Sequence, residues 1–149
     1  MIWQCRWATR QDREALLSLF LSAFGHPMNV SLWEWKYAWQ EEFGVLAYTD
    51  DKIIAYYGGL PRSFWLEKTK IAAVQICDVM VAPHERGILT KHGAFTQTAN
   101  AFLSAKTGKD KTYRFAFGFP SDSASRLGQK VGLYARIDTL LEVSWPAAT

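Results

Sequence analysis

The stretch 71–93, IAAVQICDVMVAPHERGILTKHG, holds the residues best placed for chemistry. An apolar run ends at Pro83, opens into a basic loop bounded by glycines, and leads into a helical pattern. Arg86 brings a planar fork of donors and Lys91 a mobile point charge. Gly87 and Gly93 let the backbone approach a ligand closely or take positive φ. Amides of residues 86–93, with the unpaired first turn of the helix that follows, could converge on phosphate oxygens. The loop matches neither G-x-x-x-x-G-K-[ST] nor G-x-G-x-x-G. His84 and His92 flank it, as ligand contacts or as exposed side chains. Asp78 lies inside the apolar run, where desolvation lifts a carboxyl toward the range of a general base. A hydrogen-bonded structural carboxylate is the other reading. Strand alternation puts Asp78 on the face of Ile76 and Met80, opposite Cys77 and Val79.

Other candidates are weaker. Arg126 and Lys130 are four residues apart, so they share a helical face that either approaches phosphates or is solvated. Glu34 is explained by a capping box. Three scattered His without Asp, Glu or Cys at ligand spacing predict no metal site. Cys5 and Cys77 both lie in strand-like apolar runs and read as free buried thiols. Trp33, Trp35, Tyr37 and Trp39 cannot share one stripe of a short helix. Some should line a groove, cover a sheet edge or meet a partner, and Trp33, Trp35 and Tyr37 could offer faces to a cation.

These residues need a scaffold. At 149 residues, one domain is expected, residues 1–149. A net charge of +3 suits an anionic ligand and falls short of a nucleic-acid signature. No run reaches membrane-spanning length and the start lacks a signal-peptide pattern, so the expectation is a cytoplasmic protein bound to neither nucleic acid nor membrane. Residues 2–7 read as a strand, Thr9 and Asp12 as a cap, and Leu16, Leu17, Phe20, Leu21 and Phe24 as a helix stopped by Gly25 and Pro27. Ser31 with Glu34 predicts the cap of a second helix. Strands follow at 44–49 and 52–58 around the Asp50-Asp51 turn. Gly58-Gly59-Leu60-Pro61 interrupts or bends the second, which resumes at 63–66. After a polar turn at 67–70, residues 71–81 form a central strand apolar on both faces. A helix at 94–104, a strand at 113–119, a helix capped by Ser121 or Asp122 and ended by Gly132, and a last strand at 136–145 complete the order. That order argues for an α/β or α+β protein with a mixed central sheet and a parallel crossover at 94–104.

The strand and loop from Val79 to Gly87, the helix after them, and the stretch FPSDSASRLGQKVGLY ending at Tyr134 together resemble the GNAT acyltransferase superfamily. The resemblance spans nearly the whole chain and is nearest the N-terminal domain of the mycobacterial aminoglycoside-acetylating branch. It implies a GNAT-like fold with helices on both faces of the sheet, acetyl-CoA as cofactor, and transfer of an acetyl group to an amine of a small molecule or peptide. By resemblance, Val79, Met80 and Val81 pair with the pantetheine arm. Arg86, Gly87, Ile88, Leu89, Thr90, Lys91, His92 and Gly93 hold the pyrophosphate. Ser121 at the cap and Arg126 on its helical face are further cofactor-binding candidates, Arg126 toward the phosphates or the adenine side. Tyr134 is implied as general acid toward the departing thiolate; the candidate base, Asp78, comes from the residues themselves. The spacing from Gly87 to Gly93 is wider than the family's usual pattern. The acceptor is expected at 27–39, 58–62 and the last strand. A non-catalytic acyl-CoA-binding or sensory domain, and a partner-binding module using the aromatic helix, are the competing readings. The family sheet usually has one strand more than this chain, so a partner chain, as in a homodimer, or a longer protein would complete it.

Overall fold

Alternating apolar side chains build a sheet with two buried faces. The computed structural model of the chain describes residues 3–50, 52–86 and 92–146. Among them β1 (Gln4–Trp7), β2 (Gly44–Thr49), β3 (Lys52–Leu66), β4 (Thr69–Val81) and β5 (Ala116–Gly118) form one sheet in chain order. The pairs from β1 to β4 are antiparallel, and β4 with β5 is parallel. Helices α1 (Arg13–Phe24) and α2 (Val30–Tyr37) cover one face, and α3 (Ala94–Lys106) and α4 (Asp122–Lys130) the other. This is the mixed α/β sheet with helices on both faces that the sequence predicts. No helix among the described residues is long and apolar enough to cross a membrane.

Adjacent residues divide between the two cores. Leu46 and Tyr56 pack with Leu16, Trp33 and Tyr37 beneath α1 and α2, whereas Val45 and Tyr57 pack with Phe95, Ala99 and Phe102 beneath α3. Trp33, Tyr37, Phe43 and Tyr56 form a ring cluster with centroids 5.0–6.3 Å apart. Such pairs add about 0.5–1.5 kcal/mol each beyond burial. The aromatic helix is therefore split: Trp33 and Tyr37 are core, while Trp35 and Trp39 stay more than 60% exposed.

Several local expectations change. β3 runs unbroken through Gly58 and Gly59, because a Cβ on Gly58 would lie 2.4 Å from the Phe43 carbonyl oxygen and one on Gly59 2.3 Å from that of Gln75. These glycines mark close backbone approach, not a break. The polar turn is shorter than 67–70, since β4 already begins at Thr69. Asn29, not Ser31, caps α2 by accepting from the Ser31 N–H at 2.7 Å, and Glu34 instead pairs with Arg13 at 2.5 Å. Cys5 is exposed, since β1 lies at the sheet's edge. The last strand is absent: residues 135–146 have no regular structure, because a strand needs a partner ladder and no described strand pairs with them.

Candidate active site

The site begins with one surplus residue in β4. Tyr56 pairs with Met80 and Gly58 with Cys77, so Asp78 and Val79 together oppose Tyr57. This is a β-bulge, and Asp78 takes φ 54° within it. The bulge corrects the predicted alternation. Cys77, Asp78 and Met80 all turn toward α1 and α2, while Ile76 and Val79 turn toward α3. Asp78 thus shares a face with Met80 as expected, but with Cys77 rather than Ile76.

At the same place the sheet opens. The β4–β5 ladder covers Val74 to Ile76 and ends at Gly118, so among the described residues β4 beyond Ile76 is paired on its β3 side alone. The Ala82 N–H donates to the Ile54 carbonyl on β3. Antiparallel alternation then turns Met80 to β3 and leaves Val79 and Val81 facing the opening. Of the three pantetheine candidates, Val79 and Val81 have backbone at the open edge. Met80 does not, and its side chain is buried in the core at 4% exposure.

A hydroxyl and a carboxyl lie on opposite faces of the sheet here, Tyr134 on the face of Tyr57 and Val79 and Asp78 on that of Tyr37 and Met80. Tyr134 follows α4, with its N–H on the Gly128 carbonyl and its ring edge-on to Phe95. The Tyr134 hydroxyl donates to the Tyr57 hydroxyl at 3.1 Å. Burial raises the phenol pKa of Tyr134, the Tyr57 contact opposing this, and burial raises that of Tyr57 further. On the other face, Asp78 accepts from the Lys36 ammonium at 2.5 Å and from the Tyr37 hydroxyl. Lys36 and Asp78 side chains are only 14% and 15% exposed, so this is a largely desolvated ion pair. The cavity beside it, between Leu17, Phe20, Met28 and Met80, measures about 10 Å³, room for one water.

The loop candidates are spread out. Gly87, Ile88, Leu89, Thr90 and Lys91 lie outside the described residues. Arg86 sends its guanidinium back to the Val81 carbonyl at 3.0 Å and the Ala23 carbonyl at 2.6 Å, tying β4 to the end of α1. His92 presents its carbonyl to the Trp3 indole N–H at 3.2 Å and to the Gln97 amide at 3.0 Å. Gly93 is the N-cap of α3, where no side chain caps the helix. Ser121 caps α4 by accepting from the Ala124 N–H, and Arg126 is exposed on that helix. Sequence reasoning missed Tyr57, Lys36 and Gly128 as site residues. Gly128 had a signal, a lone glycine inside a helix, and a Cβ there would come within 2.0 Å of the Tyr134 ring.

The model of the acetyltransferase (GNAT) domain matches residues 4–132. No curated protein sequence matches the chain. Among solved structures, an acetyltransferase of Trypanosoma brucei is 13% identical, with TM-score 0.69 over 97% of this chain and 100% of the other. A Clostridium acetobutylicum protein, a predicted acetyltransferase with acetyl-CoA, is 18% identical, with TM-score 0.69 over 96% of both chains. The aminoglycoside N-acetyltransferase AAC(6')-Iy, in complex with a bisubstrate analogue, is 16% identical, with TM-score 0.69 over 97% of this chain and 99% of the other. At these identities the likeness is one of fold.

Proposed function

Since this chain belongs to the acetyltransferase (GNAT) domain family, we propose that it transfers an acetyl group from acetyl-CoA to an amine of a small molecule or peptide, by direct attack of the amine. The observation that carries this reading is the coincidence of three features: the β4 bulge, the end of the β5 ladder at Ile76, and the approach of Tyr134 and Asp78 from opposite faces. A donor lying in the opening and an acceptor entering from the α1–α2 side would meet there.

The open edge of β4 fits an extended, amide-bearing ligand arm, because the backbone of Val79 faces it unpaired by any described strand. The start of α3 at Gly93 fits a phosphate, with first-turn amides and the positive end of the helix. Gly87 to Lys91 belong to this cradle by sequence, and Arg126 of α4 would add charge at its margin. Arg86, spent on two carbonyls, would shape the loop rather than face the phosphates. Acetyl-CoA, when bound, supplies the activated thioester.

Tyr134 is proposed as the proton donor to the leaving thiolate. Its buried phenol stays protonated through the neutral range. When its O–H turns from Tyr57 toward the opening, the Tyr57 hydroxyl can donate back, since each phenol both gives and accepts. Asp78 has two roles open to it, and its occupied geometry favours holding. With Lys36 and Tyr37 already on the carboxylate, it pins α2 to the bulge and shapes the acceptor side, and the amine's proton leaves to solvent. The sequence resemblance to the aminoglycoside-acetylating branch makes a polycationic amine the first acceptor to try.

Titration with acetyl-CoA, followed by thiol release with a panel of amines, tests the reading. Binding and turnover are expected, with Tyr134→Phe lowering kcat on the order of 100-fold and Asp78→Asn leaving it within several-fold. Absence of binding at millimolar acetyl-CoA would remove the function, and full turnover by Tyr134→Phe would remove the acid.

A further inference from the structure

We propose that Arg62 selects the acceptor by its far end, so that the site takes an amine on an aromatic body that ends in a carboxylate. The fate of that amine rests on the acetyl-transfer reading. Helices α1 and α2 pack over the sheet around Leu46, Tyr56 and Met80, and β3 becomes exposed beyond Pro61. On the uncovered part of that face Arg62 stands beside Gln75, and β4 leads from Gln75 through Cys77 to Asp78. The face is thus continuous with the acceptor side of the bulge.

Charge on this face is one-sided. Strands β3, β4 and β5 carry a single carboxylate, Asp78, and Lys36 already holds it. The carboxylate of α2, Glu34, is held by Arg13. Arg62 has no carboxylate partner among the described residues. Its Nε donates to the Gln75 side chain at 2.9 Å and its Nη1 to the Pro61 carbonyl at 3.2 Å. Those two bonds fix the plane of the guanidinium, and Nη2, with no acceptor among the described residues, stays open to a planar anion. Gln75 lies opposite Leu60, nearer the bulge than Ala73 opposite Arg62, so the guanidinium leans toward Asp78.

The body of the ligand follows from the neighbours. Phe117 pairs with Gln75 across the parallel ladder, and Phe64 meets Phe115 and Phe117 at centroid distances of 5.3 and 5.2 Å. Phe64 and Phe115 remain 38% and 37% exposed, so a further aromatic ring can add to the row. Gly58 faces Cys77, and Arg62 lies four residues further along β3, roughly 13 Å at about 3.3 Å per residue. Less the reach of the Arg62 side chain, that span fits an amine and a carboxylate at the two ends of one aromatic ring. A polycation, the acceptor that the resemblance brings first, meets a held carboxylate at one end and a guanidinium at the other.

Titration of the full chain with 4-(2-aminoethyl)benzoate, 2-phenylethylamine and spermidine, with and without coenzyme A and followed by NMR at the Arg62 Nε–H, tests this. The benzoate is expected to shift that resonance and to bind at least about 10-fold tighter than either other amine, the worth of a charge-assisted pair. Arg62→Gln should abolish the difference between the benzoate and 2-phenylethylamine. Arg62→Lys, which keeps the charge and loses the fork, should restore only part of it. Equal affinity for the three amines, tighter binding of spermidine, no binding of the benzoate at millimolar concentration, or a preference that survives Arg62→Gln would each overturn the proposal. If Arg62→Gln does not fold, the ratios of the unaltered chain and of Arg62→Lys decide. Binding is read without turnover, so a preference with no thiol release from acetyl-CoA would remove acetyl transfer and keep this site. Turnover without the preference would remove this site alone.

Discussion

Tyr134 is aimed by a glycine. The ring lies over Gly128 so closely that a Cβ would meet its Cδ2 at 2.0 Å and its Cε2 at 2.5 Å. Gly128→Ala therefore cannot leave the phenol where it is. The substitution is expected to lower kcat by roughly 10–100-fold, since an ångström of misplacement has that cost, while thermal stability of the domain changes little. Steady-state kinetics beside a melting curve check it. Because burial holds the Tyr134 proton above the ordinary value of 10, no alkaline fall in kcat/KM below that pH should be traceable to this residue. The tyrosine was legible in the sequence through its motif; its partner Tyr57, 77 residues away, left no local trace. The same holds for Asp78, whose donors Lys36 and Tyr37 lie 42 and 41 residues away.

At the scale of elements, glycine lets β3 press close to both neighbours, Gly59 against the Gln75 carbonyl of β4 and Gly58 against the start of β2. Gly58 faces Cys77 beside the bulge, and its missing side chain makes room for the Phe43 carbonyl and for Gly44 Cα, 2.7 Å from where a Cβ would stand. The Tyr56 hydroxyl oxygen would stand 2.5 Å away as well and the other two obstacles are backbone, so Gly58→Ala is expected to destabilise by about 1–3 kcal/mol, the range of overpacked cores. Urea unfolding, with midpoint and slope compared, measures it. Apolar periodicity was enough to locate the helices and the strands from 44 to 81, because burial dictates that pattern directly. It left Gly58-Gly59 as an interruption or a bend where β3 runs on through both, since the same residue type serves turns and tight packing. It also misread the face of Cys77, since uniform alternation contains no bulge. The strand at 136–145 had the right local pattern, yet a strand is a relation between two segments, and one segment's sequence carries only half of it.

At the scale of the molecule, buried phenols set the alkaline limit. Burial raises Tyr37, Tyr56, Tyr57 and Tyr134 above the value near 10 that they regain on unfolding. A group whose folded pKa is raised contributes stability that is complete below its unfolded value and lost as pH climbs past it. The melting temperature is therefore expected to change little with these residues up to about pH 9 and to fall steeply above pH 10. Calorimetry over that range tests the sign, and a melting temperature that rises above pH 10 would contradict the buried, neutral phenols.

The bulge has a consequence for how much of β4 the architecture needs. Strip Asp78 from the strand on paper, and Cys77 and Val79 become neighbours that already point to opposite faces, as neighbours in an unbroken strand do. Every residue on either side keeps its partner across β3. As far as the sheet is concerned, Asp78 is a supernumerary position, held in a left-handed conformation that L-residues enter at a cost of about 1 kcal/mol or more. A sheet whose pairing is indifferent to this residue carries it at the point where the two strands part, and there it holds Lys36 and Tyr37 of α2.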